Sequence, residues 1–348
     1  MKPSVNITSD DKTILKFTLK DVDVSIVNGL RRTLLENIPT AVFEKSNIEF
    51  ISNTSRLNNE ILNHRLTLIP IFINNLTIPL EDYVVEINYI NTGTTLQLIT
   101  TEHFKIKNIK QDKYLTPKET QHIFPKNPIT GDYILFCKLR PPINKSTEGE
   151  QINIKAKISI SSAAHSAAYN VASTVSYYNT PDFALQERMW NKQTSTESKE
   201  DWLCHHGFRY FIPNSYNFII ETLGVFTNAE LISKACTILQ DKFKLILEND
   251  PTYIPSKTTL PFSFDITLKN EDYTIGKILE YILYSDFEKK ILSYVGFNKE
   301  HPHNLDSIIR IAFTKDNQEV LPLITKACTT AIQLFQDIKE QFISPTTV

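Results

Sequence analysis

Few residues of this sequence have both the type and the spacing that catalysis or metal binding would need. Cys204, His205 and His206 form a Cys/His cluster, but the side chains of adjacent residues rarely converge on one metal ion. His301 and His303 flank a proline, which favours a turn with polar tips over a pair of ligands. No nucleophile and base are paired by their spacing. These patterns therefore predict neither an active site nor a metal site.

Two groups of charged residues have a simpler explanation than chemistry. Glu271 and Asp272 are adjacent carboxylates at the predicted start of a helix, where acidic residues cap free N–H groups. Lys105, Lys107 and Lys110 are interleaved with isoleucines, so a strand would place lysines on one face. That face is either solvated or in contact with phosphate. The formal net charge of −2 disfavours a chain devoted to gripping a nucleic-acid backbone.

The composition of the chain excludes several classes of protein. Its eight glycines never cluster, which excludes the phosphate-binding loops of nucleotide-binding proteins. The 348 residues are 41% hydrophobic and 22% charged, as in a globular protein with room for two or three domains. No export signal is visible, and no apolar run approaches the ~20 residues of a membrane span. The four cysteines are far apart in sequence, which indicates reduced thiols inside a cell.

The segment that must position most of the remaining candidates is DVSIVNGLRRTLLENIPT, residues 23–40. Asp23 is predicted to cap a helix that ends before Pro39. Its apolar stripe has the spacing of a packed face and consists of Val24, Val27, Leu30, Leu34 and Ile38. Arg31 falls inside that stripe, whereas Arg32 falls beside it near Asn28 and Glu36. A guanidinium on a packed face needs a partner, so Arg31 either extends to the helix edge or meets another protein.

The rest of the first 248 residues is predicted to be rich in short strands. After a hairpin in residues 3–20, the predicted strands are Ala41–Ile51, Tyr83–Ile90, Thr94–Ile99, Phe104–Ile109, Tyr133–Leu139, the strictly alternating Gln151–Ile160, and Asn217–Glu221. The predicted loops are Gln111–Asp132, Ser161–Ala168 and Thr194–Asp201. Glu60–Leu68 is predicted to be a short helix, and Asn228 is predicted to cap a long one.

A second α/β block is predicted after a linker at Asn249–Pro261, which contains three prolines. Its predicted elements are a strand that alternates at Phe262, Phe264, Ile266 and Leu268, a helix capped by Asp272 or Thr274, a strand at Ser307–Phe313 and a long helix at Glu319–Phe342. The first half repeats this order of strand, capped helix, strand and long amphipathic helix. The repetition predicts a pseudo-dimer in which each half covers the apolar face of the other.

The first half resembles the alpha-like assembly subunits of cellular RNA polymerases. These are the bacterial alpha N-terminal domain, the archaeal D subunit and the third-largest subunit of eukaryotic polymerase II. The resemblance rests on DVSIVNGLRRTLLENIPTAVFE at 23–44 and NNEILNHRLTLIPI at 58–71. It is supported by ILFCKLR at 134–140 and SSAAHSAAYN at 161–170.

The second half resembles the small partner subunit, archaeal L or the eleventh subunit of polymerase II. Its signature is LKNEDYTIGKIL at 268–279 together with VGFNKEHPHNLDSIIRIAF at 295–313. The family usually has histidine and leucine where this chain has Tyr273 and Ile275, which are mild departures. The two resemblances occur in order and together cover nearly the whole chain.

The resemblance implies an α+β fold with two alpha-like dimerisation modules that form an intramolecular pseudo-heterodimer. It implies a D-like domain of residues 1–44 and 156–248, an inserted β-rich domain of residues 45–155, the linker 249–261 and an L-like domain of residues 262–348. Many relatives carry a cysteine cluster for zinc or an iron–sulfur centre in the inserted domain. Here that domain contains only Cys137, so we expect no metal and no cofactor.

The resemblance also implies a function, that of a non-catalytic scaffold docking the largest and second-largest polymerase subunits and small accessory subunits. The residues expected at those subunit interfaces are Asn28, Leu30, Arg31, Arg32, Glu36, Pro39, Thr40, His64, Arg65 and Leu66. The residues expected to hold the two halves together are Val27, Leu34, Asp272, Thr274, Ile275, Gly276, Leu279, His303 and Leu334. Contact with nucleic acid is expected to be indirect, and no membrane contact is expected.

Two other classes of function stay open at this point. A stand-alone nucleic-acid-binding factor would show a basic face and salt-sensitive binding. An enzyme using the region Cys204–His206 would lose activity on His205→Ala.

The fusion of two subunits in one chain resembles an arrangement found in large cytoplasmic DNA viruses. The Asn-, Ile- and Lys-rich composition would suit an AT-rich genome of that kind. That origin would place the protein inside cells, in the host cytoplasm and in the virion.

Overall fold

The computed structural model describes residues 2–144, 146–193, 198–249, 251–287, 290–316 and 319–343. Backbone contacts divide the chain into two compact units. Unit 1 contains residues 1–37, 172–222 and 227–348, and unit 2 contains residues 38–171 and 223–226. Residues 45–155, the predicted inserted domain, therefore lie within unit 2.

The elements are numbered in chain order. The strands are β1 (Ser4–Asp10), β2 (Ile14–Lys20), β3 (Thr40–Val42), β4 (Ile48–Asn53), β5 (Tyr83–Ile90), β6 (Gln97–Thr100), β7 (Lys105–Asn108), β8 (Lys113–Tyr114), β9 (Leu135–Leu139), β10 (Gln151–Lys157), β11 (Ser159–Ser161), β12 (Ala172–Pro181), β13 (Phe211–Thr222), β14 (Tyr253–Pro255), β15 (Ser263–Leu268), β16 (Leu292–Asn298) and β17 (Ser307–Phe313). The helices are α1 (Val24–Glu36), α2 (Asn59–Thr67), α3 (Pro117–Ile123), α4 (Phe183–Trp190), α5 (Lys199–His205), α6 (Asn228–Glu248), α7 (Tyr273–Phe287) and α8 (Val320–Ile343). Within the described ranges, no helix has the length and apolar character that crossing a membrane requires.

Unit 1 contains two antiparallel sheets of four strands each. One has the order β1-β2-β13-β12 and the other β14-β15-β17-β16. In the first sheet Phe17 lies opposite Phe218, and their rings stack with centroids 4.8 Å apart. In the second, Ile266 lies opposite Ile309, and both are fully buried. The predicted hairpin in residues 3–20 and the predicted strand Ser307–Phe313 are confirmed.

The start of α6 differs from the prediction by one residue. The cap is Thr227, whose hydroxyl accepts a hydrogen bond from the Glu230 N–H, while the Glu230 carboxylate accepts one from the Thr227 N–H. This reciprocal pair is a capping box. Asn228 is buried instead, and its Nδ2 donates to Asp10 Oδ1 and to the Asp11 carbonyl, both at 2.9 Å. It is therefore a tertiary link and not a cap.

The polar segment predicted as the loop Thr194–Asp201 becomes helical before its end. Ser198 caps α5, and residues 194–197 lie outside the described part of the chain. The prediction of a loop was wrong for the second part because Trp202 anchors the helix. Trp202 is buried, and its ring stacks on Tyr210 with centroids 5.8 Å apart. Strand β12 and helix α4 also lie where no element is predicted.

The predicted linker Asn249–Pro261 contains an ordered strand. In β14, Tyr253 pairs with Ile266 of β15, and Pro255 lies at the end of this edge strand, where a missing N–H is tolerated. Phe262 does not share the buried face predicted for it. Its φ of 52° turns the backbone before β15 begins, and its side chain is exposed.

Unit 2 is built on an antiparallel five-stranded sheet of order β4-β10-β5-β7-β8, with two-stranded pairs β11-β3 and β6-β9. The alternation predicted for β10 is confirmed at Ile152, Ile154 and Ala156, which are fully buried. The predicted strand Tyr83–Ile90 matches β5 residue for residue. Together with Phe43, Leu62, Phe104 and Phe136, these strands enclose the core of this unit.

Two predicted strands of unit 2 are broken at matching places. Ala41–Ile51 splits into β3 and β4 around a short 3-10 turn at Lys45–Asn47. Gln151–Ile160 splits into β10 and β11, which pair with β4 and β3 respectively. The β3–β11 pair is separate from the five-stranded sheet, in which β4 and β10 remain. Ile160 of β11 is exposed and not on the buried face as predicted.

The predicted loop Gln111–Asp132 contains β8 and the helix α3. Thr116 caps α3 and Glu119 completes a capping box, while Pro117 occupies the first turn. A proline at that position stabilises a helix start because its missing N–H has no helical partner there. Pro117 therefore belongs to a helix and not to a loop, and the loop prediction was wrong for β8 and α3.

Candidate assembly interface

Helix α1 is capped as predicted, but its packed face is rotated. Asp23 Oδ2 accepts a hydrogen bond from the Ser25 N–H at 2.8 Å. The buried face consists of Ile26, Val27, Gly29, Leu30, Thr33 and Leu34. At about 100° per residue, this face is centred between Leu30 and Thr33. Val24, predicted to belong to it, is 45% exposed, and Arg31 lies at its margin.

Arg31 therefore reaches the edge of the helix. It is half-buried, and its Nε donates to Asn28 Oδ1 at 3.0 Å on the preceding turn. Among the described residues, no carboxylate lies within ion-pair distance of Arg31. The amide of Asn28 satisfies part of the guanidinium and leaves the rest for water or a partner.

Helix α7, in the second half, starts in the same way. Asp272 Oδ1 accepts a hydrogen bond from the Thr274 N–H at 2.9 Å, so of the two predicted caps Asp272 is the one that acts. Ile275, Ile278, Leu279, Ile282 and Leu283 form its fully buried face. Both helices thus present an aliphatic stripe that begins three residues after an aspartate cap.

The two helices touch at a glycine that the sequence analysis did not single out. A Cβ placed on Gly29 would lie 2.6 Å from Ile278 Cδ1 and 3.8 Å from Thr274 Cγ2. A side chain at position 29 would therefore force the far end of the Ile278 side chain to move. The available signal was a glycine in the middle of a strongly patterned helix, where it costs about 1 kcal/mol relative to alanine unless packing requires it.

Arg32 joins the two helices by an ion pair. Its Nη2 lies 2.8 Å from Asp272 Oδ2 and 3.7 Å from Glu36 Oε2. Burial would raise the pKa of Asp272, but the Thr274 backbone N–H and the Arg32 charge outweigh it, so the pKa falls below its ordinary value. Arg32 thus makes an intramolecular contact, whereas its predicted contact with a catalytic subunit stays a prediction.

The neighbouring carboxylate has the opposite electrostatic setting. Glu271 is buried, and its Oε2 accepts a hydrogen bond from Lys242 Nζ of α6 at 3.0 Å. Burial raises the pKa of Glu271 above its ordinary value, and the Lys242 charge opposes that rise without cancelling it. This pair is a second polar link between the halves of the chain.

The long helices α6 and α8 form a further contact between the halves. Gln240 Nε2 donates to the Ile332 carbonyl and to Gln336 Oε1, both at 3.1 Å. Phe243 stacks on Phe335 with ring centroids 6.2 Å apart. Gln240 is buried, and Lys339 Nζ of α8 donates to Thr237 Oγ1 of α6 at 2.8 Å. These polar contacts help to fix the register of the two helices.

The other residues predicted to hold the halves together have varied placements. Val27, Leu34, Ile275, Leu279 and Leu334 are buried in unit 1. A Cβ on Gly276 would lie 1.9 Å from the Phe297 ring of β16, so this glycine serves packing inside the second half. His303 is exposed, and its ring packs edge-on against His301. The collective role of this set stays a prediction.

The residues predicted at subunit interfaces are distributed over both units. Asn28, Leu30 and Glu36 lie on α1 in unit 1, with Leu30 fully buried and Glu36 exposed. Pro39, Thr40, His64, Arg65 and Leu66 lie in unit 2. Leu30 and Leu66 are core residues and present no surface.

Within unit 2, the predicted interface residues differ in what they leave free. Thr40 is buried and pairs with Ser161 between β3 and β11. Arg65 Nη2 donates to the Leu135 carbonyl at 2.7 Å, while its buried Nε has no partner. His64 is exposed on the same helix, and Pro39 is half-buried. His64 is therefore the member of this group most open to a partner.

The Cys/His cluster is not arranged as a metal site. Cys204 is exposed, and the His206 ring lies 6.3 Å from the buried Trp202 ring. Across the described parts of the chain, no group of three or more Cys, His, Asp or Glu side chains is placed to hold a metal ion. Burial raises the pKa of the thiols of Cys137, Cys236 and Cys328 to about 12.

Comparison with protein families gives the two halves one description. A model described as the RNA polymerase Rpb3/Rpb11 dimerisation domain matches residues 16–243. The chain belongs to this family. A second model of the same description matches residues 263–341, so the protein carries two Rpb3/Rpb11 dimerisation domains in one polypeptide. Helix α1 and most of α6 fall in the first match, and α7 and most of α8 fall in the second.

Curated relatives are subunits of DNA-directed RNA polymerases. Subunit 3B of RNA polymerases IV and V from Arabidopsis thaliana is 28% identical over 210 residues, covering 56% of this chain and 62% of the relative. Subunit RPAC1 of RNA polymerases I and III from Saccharomyces cerevisiae is 22% identical over 302 residues, covering 71% and 87%. Subunit Rpo3 from Pyrococcus furiosus is 26% identical over 265 residues, covering 68% and 93%. The chain thus spans less than two thirds of the Arabidopsis relative and most of the other two.

Proposed function

We propose that this protein is a non-catalytic assembly-platform subunit of a multisubunit DNA-directed RNA polymerase. Its two dimerisation domains would form an intramolecular pseudo-heterodimer, with residues 45–155 as a domain inserted in the first. The contact of α1 with α7 carries the proposal, because it joins one capped helix from each matched domain. Gly29, Ile278 and the Arg32–Asp272 ion pair supply a close and specific fit there.

The proposed partners are the largest and second-largest polymerase subunits and small accessory subunits. Their contacts would use side chains that the fold leaves accessible, of which Arg31, Glu36 and His64 are the best placed. The buried Leu30 and Leu66 would support these surfaces from below. Arg31 has hydrogen-bonding capacity to offer a partner, because only its Nε donates to a side chain among the described residues, that of Asn28.

Contact with nucleic acid is proposed to be indirect. The net charge is −2, and two of the lysines considered for phosphate contact are paired within unit 2. Lys107 pairs with Asp112, and Lys110 Nζ lies 2.9 Å from Asp82 Oδ2. These pairs support the solvated interpretation of this face.

We also propose that the chain arose by fusion of two subunits that are separate in cellular polymerases, as in large cytoplasmic DNA viruses. Two family matches in one polypeptide support the fusion. The Asn-, Ile- and Lys-rich composition supports the viral context. The protein would then act in the cytoplasm of the host and be packaged in the virion.

Affinity purification of the tagged full chain from cells that contain the intact polymerase tests the proposal. We expect two very large polypeptides to be recovered in stoichiometric amounts and identified by mass spectrometry as catalytic polymerase subunits. Arg31→Ala should leave the circular dichroism and melting temperature unchanged but reduce recovery of the second-largest subunit. Arg188→Ala, which changes an exposed arginine of α4, is the matched control. Recovery of the chain alone, with binding to free DNA, would instead support a stand-alone nucleic-acid-binding factor.

A further inference from the structure

Helices α1 and α7 correspond position by position when counted from their caps. Asp23 corresponds to Asp272, and each accepts a hydrogen bond from the N–H two residues later, at 2.8 and 2.9 Å. Six residues beyond each cap are Gly29 and Ile278, which contact each other. Because equivalent positions meet, a local two-fold relation passes through this contact.

The two-fold relation is broken at one charge pair. Arg32, nine residues beyond its cap, pairs with Asp272 of the other helix. The equivalent pair would join Asp23 to the residue nine positions beyond Asp272, which is Tyr281. A tyrosine supplies no positive charge. In the described part of the chain, no cation lies within ion-pair distance of Asp23.

Asp23, whose carboxylate has a helix-capping hydrogen bond but no ion-pair partner among the described residues, lines an open cleft of about 730 Å³ in unit 1. Four tyrosines line it as well, namely Tyr177 of β12 and Tyr273, Tyr281 and Tyr284 of α7. Burial raises the pKa of Tyr281, and the negative charge of Asp23 raises it further. The carboxylate and this phenol therefore act on each other across the cleft.

The charge balance of the cleft favours a cation. The lining carries Asp23 and Glu280 against Lys277, which leaves one negative charge. Lys277 is already held by Glu280 and lies 5.7 Å from the centre of the Phe297 ring. It does not neutralise Asp23. Tyrosine faces attract cations electrostatically, and a carboxylate beside them adds directional hydrogen bonds.

We infer that Asp23 and the tyrosine cleft bind an arginine side chain presented by a protein segment of another polypeptide. Arginine fits better than lysine because its planar group stacks on aromatic rings while its N–H groups reach a carboxylate. The intact half of the two-fold arrangement uses the same chemistry, since Arg32 serves Asp272 there. Assigning the segment to another polymerase subunit rests on the proposed function, whereas the arginine site itself does not.

The binding test uses the isolated full chain and two peptides. The probe is the amide of acetyl-Gly-Arg-Gly, and its control replaces arginine by the neutral isostere citrulline. Chemical shifts of tyrosine-labelled protein are followed during titration with each peptide. We expect saturable shifts at the cleft tyrosines with the arginine peptide and about tenfold weaker binding of the citrulline peptide. Equal affinities for both peptides, or no saturable shift with the arginine peptide, would overturn the inference.

Two variants locate the site. Asp23→Asn keeps the helix cap, because asparagine caps as well as aspartate, and should weaken binding of the arginine peptide about tenfold. Tyr281→Arg supplies the missing partner of Asp23 from within the chain, and should raise the melting temperature and abolish peptide binding. Tyr281→Phe, which keeps the ring, is the control for the second variant. Unchanged peptide affinity in Asp23→Asn or in Tyr281→Arg contradicts the site.

The outcomes separate this inference from the proposed function. If the arginine peptide does not bind selectively but the large polymerase subunits are recovered normally, the arginine site alone is overturned. Normal peptide binding, without recovery of polymerase subunits, overturns the proposed function alone.

Discussion

At the scale of single residues, the approach of α1 to α7 depends on the absence of one side chain. Gly29 sits in the middle of a helix whose other buried positions are aliphatic or Thr33. The cost of that glycine is offset only if the space is used, and Ile278 Cδ1 uses it. We therefore expect substitutions at Gly29 and Ile278 to have coupled effects on the free energy of unfolding.

The first prediction is a double-mutant cycle at this contact. Gly29→Leu is expected to lower the free energy of unfolding by about 1–3 kcal/mol through overpacking. Ile278→Ala removes a fully buried side chain and should cost about 2–5 kcal/mol. The double variant should lose less free energy of unfolding than the two single variants lose together, because the cavity left by Ile278→Ala accepts the new leucine. Urea unfolding of the four proteins measures the coupling, and strict additivity would show that the residues do not meet.

Glu271 and Asp272 are adjacent but respond oppositely to folding. Burial raises the pKa of Glu271 above 4.5, so its contribution to stability is complete below 4.5 and is lost as pH rises through the folded value. Burial also acts on Asp272, but Thr274 and Arg32 outweigh it and lower its pKa below 3.8. Its contribution is complete above 3.8 and is lost as pH falls through the folded value.

The second prediction follows from these signs. Asp272→Asn should cost about 1 kcal/mol near neutral pH, where the ion pair is intact, and progressively less in acid. Glu271→Gln should change little in acid and should reduce the loss of stability that the native chain shows as pH rises from 4.5 towards neutrality. Melting temperatures of the three proteins across this range are the measurement. Parallel curves for all three would contradict the assignment.

Local chemistry at this site was predictable from the sequence, but its long-range pairing was not. The cap of a helix is specified by residues within one helical turn, so the sequence predicts Asp23 for α1 and narrows the cap of α7 to Asp272 or Thr274. The partner of Arg32 is 240 residues away, and no local pattern identifies it. Arg31 was predicted to lie inside the packed face of α1 but lies at its margin for a similar reason. The elements that cover α1 determine which of its faces is buried, and they are distant in sequence.

At the scale of elements, capping signals explain both successes and errors. The sequence Thr116-Pro117 followed by Glu119 was treated as loop because of its proline, although it specifies a capping box with proline in the first turn. At α6 the box is formed by Thr227 and Glu230, one residue before the predicted cap. The sequence predicts that a helix exists more reliably than it predicts the residue that starts it.

The third prediction separates the roles of two adjacent residues at α6. Thr227→Ala should cost about 1 kcal/mol through loss of the cap, and Thr227→Ser should restore most of it. Asn228→Ala should cost about 1–3 kcal/mol because it removes both bonds from Nδ2 to residues 10 and 11. Chemical unfolding gives each value. Full stability in Asn228→Ala would show that the tertiary link is dispensable.

At the scale of the whole molecule, the repetition of elements is what the sequence shows best. Each half supplies a capped helix and a long amphipathic helix, and this order is visible in the hydrophobic pattern alone. The contacts of α6 with α8 depend on details that the pattern leaves open. Gln240, for example, has the spacing of a core residue but bonds the Ile332 carbonyl of the other half.

The fourth prediction tests whether the halves act as two partners. Residues 2–249 and 251–343, expressed together as separate polypeptides, should be recovered as a one-to-one complex. The second half retains β14 at the edge of its own sheet in this design. Expressed alone, it would expose the faces of α7 and α8, including Ile278 and Phe335, and should aggregate or remain partly unfolded.

Gly29→Leu in the first polypeptide sharpens the fourth prediction, because it should act on association as it acts on folding. A cost of about 1–3 kcal/mol at the α1–α7 contact corresponds to weakening of the complex by about five- to 150-fold. Ile278→Ala in the second polypeptide should recover part of this loss. Native mass spectrometry or sedimentation at several concentrations measures both effects. Two halves that fold separately and stay monomeric when mixed would show that the α1–α7 and α6–α8 contacts depend on the covalent connection and do not form an interface between partners.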